Sequence, residues 1–252
     1  ENIEDWAFAY SAIENISIPS HMTKICAQVF YSCRNLKKID FRYNSELNTI
    51  CEGAFFNTSI KNISIPSSVT ELKDGWCIGA KELDKVTIMA NNKCFRNYDD
   101  HSLVLGKSDL NSKEYDSLIF ASKKRKTIKI PPNIKIIGSY SFNNCSIKNI
   151  FIPASIQIIR QFAFGDCKQL RTIEIAQDSQ LQKIEQNAFL NSSIESFSFP
   201  TNFNNIDLEA FNNCQQLQII EINSDFRPQF SYSILSIFKQ YDKIIMISNI
   251  SK

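Results

Sequence analysis

The sequence predicts an α/β solenoid of about nine coils of 22–25 residues, with a parallel β-sheet along one face and one inserted β-hairpin. Three rows of recurring residues predict this fold, because each row repeats one kind of residue at the same point of successive coils. Self-similarity at such a period is the signature of repeat architectures. One coil cannot bury its apolar residues alone, so neighbouring coils are expected to stack into a continuous core.

The first row is an aromatic position, often preceded by alanine, with spacings of 22, 25, 22, 65, 22, 25 and 22 residues. The long step equals one period plus roughly forty inserted residues, and the two halves share one rhythm. We expect the rings of this row to form an interior column. The row consists of Phe8, Phe30, Phe55, Cys77 (a degenerate copy), Phe142, Phe164, Phe189 and Phe211.

The second row lies three residues after the first and holds only small side chains, as expected of a crowded inner turn. Serine, threonine and alanine replace cysteine in this row, which favours buried free thiols at its four cysteines. The alternative is at least one disulfide, because Cys26 and Cys51 lie on adjacent coils, as do Cys145 and Cys167, within reach of a bridge. The row consists of Ser11, Cys33, Thr58, Ala80, Cys145, Cys167, Ser192 and Cys214.

The third row alternates apolar and polar residues with period two, which predicts one short strand per coil with one face buried. The I-x-x-x-A-F-x-x-C segment, which includes the aromatic position and the small residue after it, has helical spacing but is short, so we expect one or two helical turns there. The apolar pairs of the row are Ile16/Ile18, Ile39/Phe41, Ile63/Ile65, Val86/Ile88, Ile128/Ile130, Ile150/Ile152, Ile173/Ile175, Phe197/Phe199 and Ile220/Ile222.

The rhythm breaks between residues 91 and 126, where two apolar segments at 102–105 and 117–120 flank the polar run GKSDLNSKEYD. We interpret this region as a β-hairpin inserted into one coil. Insertions in repeat proteins emerge on one face and often carry binding; the alternative is a tolerated bulge. The binding candidates in the hairpin are Lys107, Asp109, Lys113 and Tyr115. The basic run at 123–126 is interpreted as a solvated return into the solenoid.

These elements predict a single domain over residues 1–252, with coils at 1–90 and 127–222 on either side of the insertion at 91–126. Beyond the last coil, residues 223–252 are predicted to form a terminal cap, with a helix at 233–241 and a strand after it. The alternative is that they begin a further coil. The first residues align with a later part of a coil, so the chain is expected to begin inside a repeat.

The repeat L-x-x-I-x-I-P-x-x-V-x-x-I-x-x-x-A-F-x-x-C resembles the BspA-like class of leucine-rich repeats. The clearest copies are IKNISIPSSVTEL, IKNIFIPASIQIIRQFAFGDCKQL and IKIPPNIKIIGSYSFNNC. The resemblance covers about residues 3–222 and implies a horseshoe-like leucine-rich-repeat solenoid. It also implies a non-enzymatic, often surface-exposed protein associated with adhesion to host or matrix proteins. The family motif contains no catalytic residue.

Composition excludes several classes of function. The net charge of +2 lacks the basic excess of a dedicated nucleic-acid binder, and no apolar run is long enough to span a membrane. No C-x-x-C motif supports a zinc site, and no glycine-rich loop supports a phosphate-binding cofactor. The two histidines, His21 and His101, have no recognisable nucleophile, so we expect neither an enzyme nor a cofactor.

The remaining candidate for function is the outward row of the predicted sheet. We expect a protein-binding module, exposed on the cell surface or extracellular, whose ligand is a host or matrix protein. The alternative is a cytoplasmic interaction scaffold, suggested by the eight cysteines. The outward candidates for ligand binding are Lys38, Asp40, Lys85, Thr87, Lys129, Phe151, Glu174, Ile219 and Glu221.

Overall fold

A computed structural model describes residues 1–201, 203, 205–207 and 209–221. This part of the chain forms a β-solenoid of short strands and tight turns, numbered β1–β19 in chain order. It contains no helix, so the α component of the predicted α/β class is not confirmed. The predicted cap at 223–252 lies outside the described residues.

One strand of three or four residues lies at each predicted period-two position but one, and we call these the long-strand row. Isoleucine, valine or phenylalanine faces inward, and the outward residues are polar except for Phe151 and Ile219, because a strand alternates its side chains between two faces. The row consists of β2 (Asn15–Ile18), β4 (Lys38–Phe41), β6 (Asn62–Ile65), β8 (Lys85–Ile88), β13 (Asn149–Ile152), β15 (Thr172–Ile175), β17 (Ser196–Ser198) and β19 (Ile219–Glu221).

The long-strand row is four separate parallel pairs, not the one continuous sheet that was predicted. The pairs are β2–β4, β6–β8, β13–β15 and β17–β19. Paired strands begin 23 residues apart, as at 15 and 38, whereas β4 and β6 begin 24 residues apart, at 38 and 62. The extra residue must be accommodated between the strands, and no ladder forms there. The expected strand at Ile128–Ile130 is also absent, although both isoleucines are buried.

A second row of strands, two residues each, runs along another side of every coil. The first four form a parallel sheet, and the last four continue a seven-stranded sheet that includes the insertion. We call this the short-strand row. It consists of β1 (Asn2–Ile3), β3 (Lys24–Ile25), β5 (Thr49–Ile50), β7 (Glu71–Leu72), β12 (Ile136–Ile137), β14 (Ile158–Ile159), β16 (Lys183–Ile184) and β18 (Asn205–Ile206).

The helical turns predicted around the aromatic position are wrong. In the coil of Phe30, the N–H groups of Gln28, Phe30 and Ser32 donate to carbonyl oxygens of the next coil at 2.8–3.1 Å. Only the alternate N–H groups of Tyr31 and Cys33 turn back into their own coil. A helix would keep all of these bonds internal.

The backbone explains this alternation, because the residues two before and two after the aromatic position adopt the left-handed conformation in most coils. Single left-handed residues of this kind end a right-handed helix after one turn. Residues with φ between 54° and 70° at these two positions are Trp6, Tyr10, Gln28, Ser32, Gly53, Asn57, Gly75, Gly79, Tyr140, Asn144, Phe162, Asp166, Asn187, Asn191 and Asn213.

The aromatic row forms the predicted interior column, in two segments. Phe30 and Phe55 stack with ring centroids 5.7 Å apart and planes 9° from parallel. Phe164 lies between Phe142, at 4.8 Å, and Phe189, at 5.3 Å. In the degenerate coil the ring comes from Trp76, whose edge meets Phe55 at 5.9 Å. Offset stacking of this kind stabilises aromatic pairs beyond the area that they bury.

The small-residue row packs against the same column. Cys33, Cys145, Cys167 and Cys214 are almost completely buried, and all eight cysteines of the chain are free thiols, so the disulfide alternative is not what the structure contains. The Cys167 thiol donates to the carbonyl of Phe142 in the preceding coil at 3.0 Å. Burial raises the pKa of Cys145 and Cys214 to about 11, and that of Cys77, which lies outside this row, to the same value.

The insertion contains three strands: β9 (Phe95–Tyr98), β10 (Leu103–Gly106) and β11 (Ser117–Ala121). β10 pairs antiparallel with β11, as the predicted hairpin requires, and also with β9. β11 then pairs in parallel with β12, which joins the hairpin to the short-strand row.

The hairpin strands lie inside the solenoid and do not protrude from it. Leu103 and Leu105 pack into the core of the second block of coils, whereas Val104 and Phe120 pack into the core of the first block. The hairpin therefore separates two hydrophobic cores and is buried on both faces. The exposed residues of the insertion lie mainly at 91–100 and in the loop at 107–115.

We expect Phe164→Ala to lower the free energy of unfolding by about 3–5 kcal/mol, because it removes the middle ring of a stacked trio and leaves a cavity. Denaturant unfolding followed by circular dichroism measures this loss. Tyr43→Ala is the control: Tyr43 is 94% exposed, and its replacement should change stability by less than about 0.5 kcal/mol. Equal effects of the two substitutions would contradict the conclusion that the stacked rings of the aromatic row stabilise the fold.

We expect stability to fall as the pH rises from 9 to 11. In this window the unfolded chain releases thiol protons, whose ordinary pKa is 9.0, while native Cys77, Cys145 and Cys214 retain theirs to about 11. Each pKa unit corresponds to about 1.4 kcal/mol.

Unfolding titrations at pH 8, 9, 10 and 11 measure this loss, and Cys145→Ala isolates one thiol from the other groups that titrate there. The variant should lose less stability than the parent protein between pH 9 and 11. Parallel profiles for the two proteins would refute the assignment.

Candidate protein-binding surface

The outward side of the long-strand row differs between the two blocks of coils. In the first block its charges are paired within the molecule. Lys38 Nζ lies 2.6 Å from Asp40, and Lys85 Nζ lies 3.0 Å from Asp100. Lys85 donates a hydrogen bond to Asp100 and, with its charge, lowers the pKa of that carboxyl group. Four charged side chains that a ligand could contact therefore already have partners.

In the second block, the long strands line a groove of about 960 Å³, which we call the acidic groove. Phe151 and Glu174 are register partners across β13 and β15, and Ser198 and Glu221 are partners across β17 and β19. Phe151 is 54% exposed, and it is the one phenylalanine among the exposed large hydrophobic side chains of the described residues. The lining residues are Phe151, Thr172, Ile173, Glu174, Ile175, Ala176, Gln177, Asp178, Ser196, Ser198, Phe199, Pro200, Thr201 and Glu221.

Three carboxylates line the acidic groove: Glu174, Asp178 and Glu221. None of the lining residues is lysine, arginine or histidine, and none of the three carboxylates forms an ion pair with another described residue. Glu221 accepts a hydrogen bond from the Ser198 hydroxyl. The groove therefore presents uncompensated negative charge beside an exposed ring.

The structure brings together only part of the predicted strand-face set. Phe151, Glu174 and Glu221 meet in the acidic groove, whereas Lys129 is exposed outside any strand and Ile219 is half-buried at the start of β19. Among the first-block candidates, Thr87 is half-buried in β8, opposite Ser64 of β6. Sequence reasoning missed Asp178, which follows β15 in a turn rather than standing in the strand row.

Three of the four predicted residues in the loop of the inserted hairpin make contacts within the insertion itself. The Tyr115 ring lies 5.3 Å from Lys107 Nζ and 4.7 Å from the guanidinium of Arg96, in two cation–π contacts. Asp109 accepts a hydrogen bond from a backbone N–H two residues on, at 2.9 Å, while remaining exposed. Lys113 is exposed without a described ion pair or side-chain hydrogen bond.

The basic run at 123–126 is only partly the solvated segment that was predicted: Lys124 and Lys126 are exposed, but Lys123 is buried. Lys123 is only 3% exposed, and its ammonium group donates to the carbonyl of Ser141 at 3.2 Å. Lys124 and Arg125 form ion pairs with carboxylates at 2.7 and 3.5 Å. The run re-enters the solenoid as a packed segment, because its first side chain is buried between coils.

A family model described as a BspA type leucine-rich repeat region, in 6 copies, matches residues 1–108 and 113–239. The chain belongs to this family. The match covers both blocks of coils and most of the insertion, in agreement with the resemblance seen in the repeated motif. Among curated proteins, no sequence matches this BspA-type repeat protein.

Solved structures with the same fold include bacterial relatives. The pneumococcal vaccine antigen PcpA has a TM-score of 0.81 at 24% identity, over 99% of this chain and 71% of its own. A leucine-rich cell surface protein from Faecalibacterium prausnitzii has a TM-score of 0.75 at 22% identity, over 94% and 61%. A leucine-rich repeat protein from Eubacterium ventriosum has a TM-score of 0.61 at 17% identity, over 94% and 73%.

Among the described residues, neither histidine side chain of this BspA-type repeat protein forms a hydrogen bond with a hydroxyl or a thiol. His21 Nε2 pairs with Glu1 at 3.1 Å, and both side chains are exposed. The Ser102 hydroxyl donates to Asp99, not to His101. Within the described residues, no group of three or more histidine, cysteine or acidic side chains could hold a metal ion, and no helix has the length and hydropathy to cross a bilayer.

Proposed function

We propose that this BspA-type repeat protein is a non-enzymatic scaffold at the cell surface that binds a host or matrix protein through its long-strand row. The observation that carries the proposal is the difference in burial between the two faces of each long strand. Inward residues such as Ile39, Ile63 and Ile150 are buried in the core, while the outward ones are exposed or only half-buried. Outward groups are therefore free to vary for recognition without loss of the fold.

Three further observations support the surface assignment. The family and the fold are those of repeat proteins, and two of the similar structures are described as a vaccine antigen and a cell surface protein. The acidic groove places an exposed aromatic side chain on the same row, and aromatic residues are enriched at the energetic centres of protein interfaces.

We expect the purified chain to bind at least one member of a panel of matrix and host-surface proteins saturably, in surface plasmon resonance. A large polymer coupled to an outward side chain of the long-strand row should block this binding sterically. Asp40→Cys and Glu174→Cys place a thiol at exposed positions of the two blocks, in a Cys94→Ser background that removes the least buried native thiol. Coupling of a polyethylene glycol maleimide at one or both sites should weaken binding more than tenfold.

Glu52→Cys, coupled in the same way, is the matched control, because Glu52 is exposed in the turn segment away from the long strands. Its coupling should leave binding unchanged. Absence of any saturable ligand in the panel would count against the proposal, and so would equal losses at all three sites.

A cytoplasmic interaction scaffold is the second candidate, favoured by the eight free thiols, since reducing compartments keep cysteines unpaired. The two candidates predict different labelling of intact cells that produce the protein. A surface protein reacts with a membrane-impermeant biotin reagent before lysis, and a cytoplasmic one reacts only after it. We expect labelling before lysis; labelling confined to lysates would establish the second candidate.

A further inference from the structure

The acidic groove has the opposite sign of charge to the chain as a whole. The full sequence carries a net charge of +2, yet the described residues that line the groove include three carboxylates and no basic side chain. A ligand attracted by the overall charge of the protein would be an anion. Selection of a ligand by the groove therefore depends on the local field of its three carboxylates and not on the net charge of the chain.

The carboxylates are spread along the groove. Glu174 lies in β15 and Glu221 in β19, while Asp178 lies in the turn after β15. They do not form a cluster that could hold a metal ion, as noted for the described residues. Charge distributed in this way fits an extended ligand with more than one cationic group better than it fits a single small cation.

Phe151 supplies the apolar contact. Its ring stands beside Glu174 in the register of β13 and β15, where neighbouring side chains on one face of a sheet are about 5 Å apart. A guanidinium or ammonium group that pairs with the carboxylate can therefore also reach the face of the ring, and cation–π attraction favours that geometry. The volume of the groove, about 960 Å³, lies at the upper end of the range for clefts that hold ligands.

We propose that the acidic groove binds an extended basic segment of the protein ligand, in which lysine or arginine side chains are interleaved with apolar ones. This proposal rests on the proposed function, because it names the chemistry of the ligand that the long-strand row recognises. The cationic groups pair with Glu174, Asp178 and Glu221, and the ring of Phe151 lies against an apolar or guanidinium side chain. Arginine fits best, because its planar group can form bidentate pairs with a carboxylate and stack on a ring.

The test uses the whole chain and three fluorescent decapeptides in which leucine alternates with arginine, glutamine or glutamate. The arginine peptide should bind saturably in fluorescence anisotropy, at least tenfold more tightly than the glutamine peptide, and the glutamate peptide should not bind. Affinity for the arginine peptide should fall as salt is raised from 50 to about 300 mM, because screening weakens exposed charge pairs.

Two variants locate the binding. Glu174→Gln combined with Asp178→Asn and Glu221→Gln removes the charge and keeps the shape of the groove, and it should weaken the arginine peptide more than tenfold. Phe151→Ala should weaken it several-fold without changing the salt dependence. Both sets alter side chains on the groove surface, so circular dichroism and thermal unfolding should match the parent protein.

The matched control removes the same amount of negative charge elsewhere. Glu46→Gln, Glu52→Gln and Asp74→Asn change exposed carboxylates of the first block, and this combination should leave peptide affinity unchanged. Equal losses in the control and groove variants would overturn the proposal, because binding would then follow net charge. So would equal affinity for all three peptides, or binding of Ca²⁺ by the three groove carboxylates without binding of the arginine peptide.

Failure of this proposal and failure of the proposed function give different results. If a protein ligand from the panel binds the long-strand row and the groove variants bind it as the parent does, only the basic segment is refuted. If no protein ligand binds at all, the proposed function itself fails.

Discussion

Within each block, successive coils are joined at the aromatic position, where ring contacts and backbone hydrogen bonds need the same separation between coils. Ring centroids of successive phenylalanines are 4.8–5.7 Å apart, close to the spacing of about 4.8 Å between hydrogen-bonded strands. Backbone N–H groups at and beside each ring donate hydrogen bonds to carbonyl oxygens of the next coil, and these bonds also hold the two coils about one strand spacing apart. Neither interaction has to be distorted to satisfy the other.

The small residue three positions on completes the same arrangement. The carbonyl of Phe142 accepts the N–H of Cys145 in its own turn at 2.9 Å and the thiol of Cys167 from the next coil at 3.0 Å. The carbonyl of Phe189 is used in the same way by Ser192 and Cys214. Because both lone pairs of a buried carbonyl are then satisfied, a short polar or weakly polar side chain suits this position, and a larger one would not fit between the coils.

The regular features of the fold were predictable because the chain repeats them. Seven copies of Phe, eight of a small residue and nine of an alternating apolar pair identify the column, the crowded turn and the long strands. The left-handed turns could not be predicted in the same way. The residues that adopt them are of many types, from glycine (Gly53) to tryptophan (Trp6), and the spacing of two successive turns resembles that of a helix. A signal was nevertheless present: glycine or asparagine recurs two residues from the aromatic position, as at Gly75, Asn144 and Asn191, and these residues tolerate positive φ.

The insertion shows a second limit of pattern reasoning. Leu103, Val104 and Leu105 form a continuous apolar run, which is typical of a strand buried on both faces, yet the polar loop beside it favoured a surface hairpin. Which of the two cores each hairpin side chain enters depends on the coil that its face of the hairpin contacts. Those contacts are part of the tertiary structure and leave no pattern in the local sequence. The pairing of Lys85 with Asp100 is of the same kind, because the aspartate comes from the insertion.

The candidate site was predictable in its parts and not in its location. Alternation along the strands identified Phe151, Glu174 and Glu221 as outward residues, but it identified Lys38 and Asp40 equally well. What distinguishes the two groups is whether a partner of opposite charge lies within reach on the folded surface. In the first block such a partner is present, and the charges of Lys38 and Asp40 are already neutralised. In the second block no such partner lies near the groove among the described residues. An unpaired carboxylate beside an exposed ring therefore retains its full attraction for a cation from another chain. Repetition therefore builds the scaffold, and the departures from repetition in charge pairing are what give one stretch of its surface a chemical preference.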